Sequence, residues 1–277
     1  MLDGKVTGDM ATYVFSDVHG HFGTLDRLLS RVSPSSEDRI FMLGDMIDRG
    51  PDPMSVVRCC HDLPNSVVLM GNHEDLMLSY YADPDNPSGA LNWAINGSAP
   101  TQTGLRALPA DERVELAQWL FTLPLYTQTE VNGRRYLLVH AGIDPTRIAL
   151  APAEVWDEDA IDEMMGHQYR DDLLWIREDF WGVPTGLVDD RGEGVIVIAG
   201  HTPTLYLDGM ADRPDRSSRG SNGLCRMVRV GACEATGGVA DRWDIDCGCA
   251  GGAGFGQLLM LRLDDGEEIY EPVLEGE

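Results

Sequence analysis

Five short blocks carry the residues that could do chemistry. Asp17 and His19 stand in Phe15-Ser16-Asp17-Val18-His19-Gly20, and Asp45, Asp48 and Arg49 in Gly44-Asp45-Met46-Ile47-Asp48-Arg49-Gly50. Asn72, His73 and Glu74 stand in Leu69-Met70-Gly71-Asn72-His73-Glu74, His140 in Val139-His140-Ala141-Gly142, and His201 in Ala199-Gly200-His201-Thr202. Carboxylate, imidazole and amide oxygen suit borderline or hard divalent cations such as Mn, Fe or Zn rather than a thiolate site. Asp17 and His19 are two apart, so one loop can direct both to a first ion. Asn72, His140 and His201 come from three separate blocks and can serve a second, with Asp45 as the natural bridge. Two ions roughly 3.5–4 Å apart can clamp a hydroxide for in-line displacement at phosphorus. The leaving alkoxide then needs a proton, and His73, beside a candidate ligand, is the best general acid. An adjacent acid must hold its ring, for which Asp48 and Glu74 are the candidates. Arg49 offers a planar fork that suits phosphate oxygens.

These residues need elements that bring them together. Each block follows a compact apolar run: Tyr13-Val14-Phe15, Ile40-Phe41-Met42-Leu43, Val67-Val68, Leu137-Leu138-Val139 and Val195-Ile196-Val197-Ile198. Such runs read as buried strands, and open α/β sheets place ligands beyond the carboxyl ends of their strands. Strands at Ala11–Phe15, Arg39–Leu43 and Ser66–Met70 alternate with helices at His21–Val32 and Pro51–Leu63. That β-α-β-α-β run favours parallel pairing with right-handed crossovers. Further helices are expected at Glu74–Tyr81, Ala110–Leu123 and Ala153–Met165. Asn132-Gly133 between two strand patterns predicts a hairpin that delivers His140, and Asp265-Gly266 marks a closing one. The stretch Leu91–Pro100, with Trp93, Asn96 and Gly97, reads as a loop over the site. Residues 208–242, rich in Gly, Ser, Arg and Asp, read as an insertion or mobile loop.

Composition narrows the function classes. The chain has 277 residues, 46 acids against 21 bases, and a formal charge of −25. That length is read as one domain over residues 1–277. The charge argues against nucleic acid or an anionic membrane as a partner. A phosphate-binding site in this field needs divalent ions and nearby arginines to reverse the sign locally. Lys5 is the only lysine, so a Schiff base or a phosphate-loop lysine in the core is excluded. Met1–Thr12 lacks the apolar core of a secretory signal, and a cytoplasmic location is expected. Cys59 and Cys60 read as packing. Cys225, Cys233, Cys247 and Cys249 do not match the spacing of a zinc site, and reduced thiols are the expectation.

The five blocks, in this order from Ser16 to His201, resemble the metal-dependent phosphoprotein phosphatase family of the calcineurin-like metallophosphatase superfamily. The prokaryotic serine/threonine phosphatases and the symmetrical dinucleoside tetraphosphatases are the similar members. Ser16 departs from the Gly that many members carry. The resemblance implies a sandwich of two mixed sheets flanked by helices, two divalent ions (Mn first, Fe or Zn otherwise) on Asp17, His19, Asp45, Asn72, His140 and His201, and the same division of ligands as above. It pairs Asp48 with His73. It also implies that an Arg in Trp175-Ile176-Arg177-Glu178 joins Arg49 on the phosphate, with Arg191 the rival. The function expected is hydrolysis of phosphoserine or phosphothreonine in proteins by direct attack of a bridging hydroxide. The alternative is symmetrical hydrolysis of dinucleoside polyphosphates, and an inactive phosphate-binding scaffold is a third reading.

Overall fold

The computed structural model describes residues 10–277. The readings made of Lys5 and of the stretch up to Asp9 lie outside the described residues. The chain runs β1 (Thr12–Phe15), α1 (Phe22–Val32), β2 (Arg39–Met42), α2 (Pro53–Asp62), β3 (Ser66–Val68), α3 (Asn72–Ala82), α4 (Pro87–Ile95), α5 (Ala99–Ala107) and α6 (Ala110–Phe121). The hairpin β4 (Tyr126–Val131) and β5 (Arg134–Val139) follows, then α7 (Glu158–Met165), α8 (Arg170–Trp175), α9 (Glu178–Trp181) and β6 (Val195–Ala199). Four strands close the chain: β7 (Val228–Val230), β8 (Arg242–Asp244), β9 (Gln257–Arg262) and β10 (Glu267–Pro272).

The strands form two mixed sheets in the orders β10-β9-β1-β2-β3 and β4-β5-β6-β8-β7. β1, β2 and β3 pair in parallel, as the crossover pattern predicts. β5, β6 and β8 are parallel in the second sheet. Side chains alternate across each strand. Val14, Phe41 and Leu43 meet Leu138, Ile196 and Ile198 between the sheets. Tyr13, Phe15, Ile40 and Met42 face Leu25, Leu28 and Val57 of the helices on the outer side. Leu137, Val139, Val195 and Val197 pack under Ile161, Met164 and Phe180. Each such side chain stabilises the sandwich by roughly 1.5–3 kcal/mol on burial. The carboxyl ends of β1, β2, β3, β5 and β6 therefore open on one edge.

Two segments differ from the sequence expectation. Leu91–Pro100 lies at the site but is mostly helical, split between α4 and the start of α5. Asn86 Oδ1 accepts the N–H groups of Ser88 and Gly89, and Pro87 takes the first helical position, where a missing donor is harmless. Segment 208–242 supplies β7 to the edge of the second sheet and buries Met227, Val228 and Val230. Among the described residues no helix is long and apolar enough to cross a membrane.

Candidate metal centre

The strand ends turn sharply. Asp17, His19, Asp45, Asp48, Arg49 and His201 all have positive φ, between 45° and 69°. Left-handed backbone in non-glycine residues costs on the order of 1–3 kcal/mol each and concentrates at functional sites. Gly44 permits one of the close approaches. Its φ is +95°, and a Cβ there would lie 2.5 Å from the backbone nitrogen of Gly71. The loops after β2 and β3 can touch only because neither carries a side chain at that point.

The structure brings the six sequence-predicted ligands into one buried cluster. Asp45 lies at its centre: Oδ2 is 3.4 Å from His19 Nε2, and Oδ1 is 3.5 Å from His140 Nε2. Two groups of three have ligand atoms within 4.8 Å of one another, His19–Asp45–His73 and Asp45–His140–His201. Asp17 belongs to neither group. Its carboxylate accepts hydrogen bonds from the Ser16 hydroxyl and, at 3.1 Å, from the His201 backbone N–H.

The donor set fits divalent cations. His19 Nδ1 donates to Ile47 O at 3.0 Å, and His140 Nδ1 donates to Leu43 O at 2.8 Å. Burial pushes both imidazoles below their ordinary pKa, and His201 as well. A neutral ring that donates from Nδ1 carries a lone pair on Nε2. His140 Nε2 then faces the Asn72 amide oxygen at 2.9 Å, acceptor against acceptor. His201 Nδ1 meets the same oxygen at 2.9 Å, while its Nε2 is buried with no partner. Convergent lone pairs repel unless a cation lies among them. The Asp45 carboxyl is held well below its usual range: burial opposes ionisation, but the His140, His73 and His19 imidazoles outweigh it.

Beside this cluster, His73 Nδ1 donates to Asp48 Oδ2 at 2.7 Å. Burial lowers the His73 pKa, but the Asp45 and Asp48 carboxylates reverse the direction and raise it. Arg49 Nη2 is 3.0 Å from His73 Nε2. A guanidinium has no lone pair, so Nε2 accepts here. Glu74, the other candidate to hold the ring, turns away from it. Its Oε2 accepts the N–H groups of Asp45 and Gly71, and its Oε1 those of Met46 and Ile47. Glu74 therefore shapes the Asp45 loop. Burial, with Asp45 nearby, pushes its pKa up to about 7, whereas four converging N–H donors favour the carboxylate.

A sequence profile of the calcineurin-like phosphoesterases matches residues 10–232. The chain belongs to this family. Its enzymes are hydrolases of phosphoric esters, and the family uses divalent metals. Curated relatives include the symmetrical bis(5'-nucleosyl)-tetraphosphatase of Pectobacterium atrosepticum, 28% identical over 79% of this chain and 62% of that protein. The enzyme of that name from Paracidovorax citrulli is 35% identical over 52% of this chain and 49% of its own length. The chain thus spans about half to three-fifths of these relatives. A namesake from Vibrio parahaemolyticus aligns along its whole length at 25% identity, over 96% of this chain. Among solved structures, a provisionally named diadenosine tetraphosphatase superposes with a TM-score of 0.58 at 20% identity, covering 98% of this chain and 96% of its own. A serine/threonine phosphatase of Saccharomyces cerevisiae gives 0.52 at 17%, covering 98% and 82%. At those identities the superpositions speak for the fold alone.

In this phosphoesterase a cavity of about 850 Å³ opens over the cluster. Its wall contains His19, Asp45, Asn72, His73, His201 and both Arg49 and Arg177. Arg177 Nη1 donates to Thr202 Oγ1 at 3.3 Å, which keeps the guanidinium at the rim. Arg191, the rival, is paired with Asp189 at 2.8 Å on an exposed turn outside the cavity. The six cysteines are free thiols, and among the described residues neither ligand group contains one.

Asp246 and Thr101, which bear on the site, escaped the sequence reading, and that reading placed Trp93 only in a loop over the site. Asp246 is buried beyond β8, where its charge acts on Asp17 and on Arg49 and Arg177. It stands in Asp244-Ile245-Asp246-Cys247-Gly248, a sixth strand end handing over to acid and Gly, and that pattern was the available signal. Trp93 and Thr101, on α4 and α5, reach Asp48 through packing that no local motif announces.

Proposed function

We propose that this phosphoesterase hydrolyses dinucleoside polyphosphates. The observation that carries the reading is the aromatic part of the cavity wall. Trp175, Tyr206 and Phe255, with Pro203 and Met210, line the same cavity as the ligand cluster, the Trp175 ring edge-on to His201 with centroids 5.7 Å apart. A phosphoseryl side chain needs only the polar end, whereas a nucleobase needs a flat apolar surface, and base–aromatic stacking contributes about 1–3 kcal/mol. The curated relatives named for this activity support the same reading.

Asp17, His19, Asp45, Asn72, His140 and His201 would hold two divalent ions, and Mn suits their nitrogen and oxygen donors. Bound ions would supply charge to offset the phosphates and lower the pKa of water. Arg49 and Arg177 grip the non-bridging oxygens as forks. His73, held by Asp48 at Nδ1, gives a proton from Nε2 to the leaving oxygen. Arg49 must first leave Nε2, which a phosphate drawing the guanidinium into the cavity would do, and the freed Nε2 then takes a proton from solvent, as the raised His73 pKa favours.

A second reading, phosphoserine or phosphothreonine hydrolysis, has its own support. The His73–Asp48 pair matters most for a strongly basic alkoxide, and the terminal phosphate of a departing nucleoside diphosphate is a weak base. The Trp175–Glu178 block also resembles the protein phosphatases. The test is kcat/KM of the Mn-loaded protein for diadenosine tetraphosphate, a phosphopeptide set and nitrophenyl phosphate. Preference for the dinucleotide, with ADP as product, supports the proposal. Turnover of phosphopeptides but not of the dinucleotide transfers it to the second reading.

A further inference from the structure

Asp48 is fully buried, and donors converge on both of its carboxylate oxygens. Oδ2 accepts from His73 Nδ1 at 2.7 Å and from Trp93 Nε1 at 3.0 Å. Oδ1 accepts from Thr101 Oγ1 at 2.6 Å. The Thr101 oxygen in turn accepts the backbone N–H of Asp48 at 2.9 Å, so its single proton is committed to the carboxylate. Trp93 and Thr101 come from consecutive helices, and the turn between them grips the next residue. Gly97 O accepts the backbone N–H of Arg49 at 3.0 Å. Gly97 has φ +99°, and a Cβ there would lie 2.9 Å from Arg49 Cγ. One short segment, 93–101, thus fixes two successive residues whose own backbones are left-handed, at φ 69° and 65°. Such strain persists only where surrounding contacts over-determine it.

The geometry points to Trp93 and Thr101 as positioning residues for the His73 proton donor. A carboxylate held at one oxygen can turn about its Cβ–Cγ bond and lose the imidazole. With donors on both oxygens its plane is fixed, and one direction on Oδ2 is left for Nδ1. The bond at Nδ1 fixes both the ring orientation and the tautomer, and so where Nε2 points. This inference rests on the reading of His73 as the proton donor. It concerns residues that belong neither to the ligand cluster nor to the cavity lining.

The test compares Thr101→Val, which keeps the shape and removes the hydroxyl, with Thr101→Ser, which restores it. Trp93→Phe, which removes the ring N–H, is measured alongside. For each variant, kcat and KM are measured on an alkyl phosphate and on nitrophenyl phosphate, with metal content determined. The low-field proton resonance of His73 Nδ1–H is recorded on metal-free protein. Thr101→Val and Trp93→Phe should lower kcat on the alkyl phosphate about 10-fold, less than the roughly 10²–10⁴-fold effect of losing a general acid outright. Turnover of nitrophenyl phosphate, KM and metal content should hardly change. Thr101→Ser should recover most of the loss, and the resonance should move in Thr101→Val and return in Thr101→Ser. Equal losses on both leaving groups, or none, overturn the inference if His73→Asn does discriminate between them. If His73→Asn does not discriminate, the proton-donor reading fails first. The resonance then decides alone, and an unmoved signal in Thr101→Val overturns the positioning role.

Discussion

Replacing Tyr206 by alanine separates a nucleotide enzyme from a phosphoprotein enzyme. Tyr206 lies on the turn Thr204–Leu207, a few residues beyond His201, and its ring lines the cavity. The residue is 57% exposed. It can therefore stack on one face of a base while the other side stays wet, which places it in the lower part of the 1–3 kcal/mol range for such contacts. About 1–1.8 kcal/mol corresponds to a loss of roughly 5–20-fold in kcat/KM. Stacking on a base would be the same in the bound substrate and in the transition state, so the loss should appear in KM with kcat nearly unchanged. The assay is steady-state hydrolysis of diadenosine tetraphosphate, with glycerol phosphate as the control because it has no ring to stack. Phe255→Ala is a less clean probe, since that ring also packs against Gly248 and Gly251. An equal loss on glycerol phosphate, or no loss on the dinucleotide, would refute the stacking argument.

Other outcomes follow from the same geometry. His73→Asn should lower kcat on alkyl phosphates by about 10²–10⁴-fold and much less on nitrophenyl phosphate, whose leaving group departs without a proton. Asp48→Asn should show a weaker form of that pattern, and metal analysis should find both variants loaded. Arg177→Ala should lower kcat/KM by about 10–100-fold through lost charge-assisted bonds to phosphate. Arg191→Ala, on its exposed turn, should leave kcat/KM alone, and the same kinetics check both.

The candidate ligands were legible because each lies just past an apolar strand, within three residues of a Gly. Asp45 and His201, each directly after a Gly, show the rule most plainly. Asp246 follows it too, but β8 is short and reads Arg242-Trp243-Asp244, which hides a strand. Arg242 is fully buried, with its Nε bonded to Asp241 and its Nη1 to the carbonyls of Phe180 and Trp181, while Nη2 has no partner. No hydropathy pattern could announce that. The helix α4 was obscured differently, since Asn86, Pro87 and Ser88 mark a turn and a helix start with the same chemistry. Trp93 and Thr101 stand 45 and 53 residues from Asp48 and reach it only through tertiary packing. The sequence left Glu74 open as a partner for His73, and the four N–H groups at its carboxylate instead assign it to the Asp45 loop.

The central claim is that Asp45 joins two cation sites at the strand ends. Its most direct test is the Mn content per chain, by elemental analysis after equilibrium dialysis, for the wild-type protein and for Asp45→Asn. The account predicts two ions per chain in the wild type and loss of both, or nearly so, in the variant. Fewer than two in the wild type, or an unchanged content in Asp45→Asn with the fold retained, would contradict it.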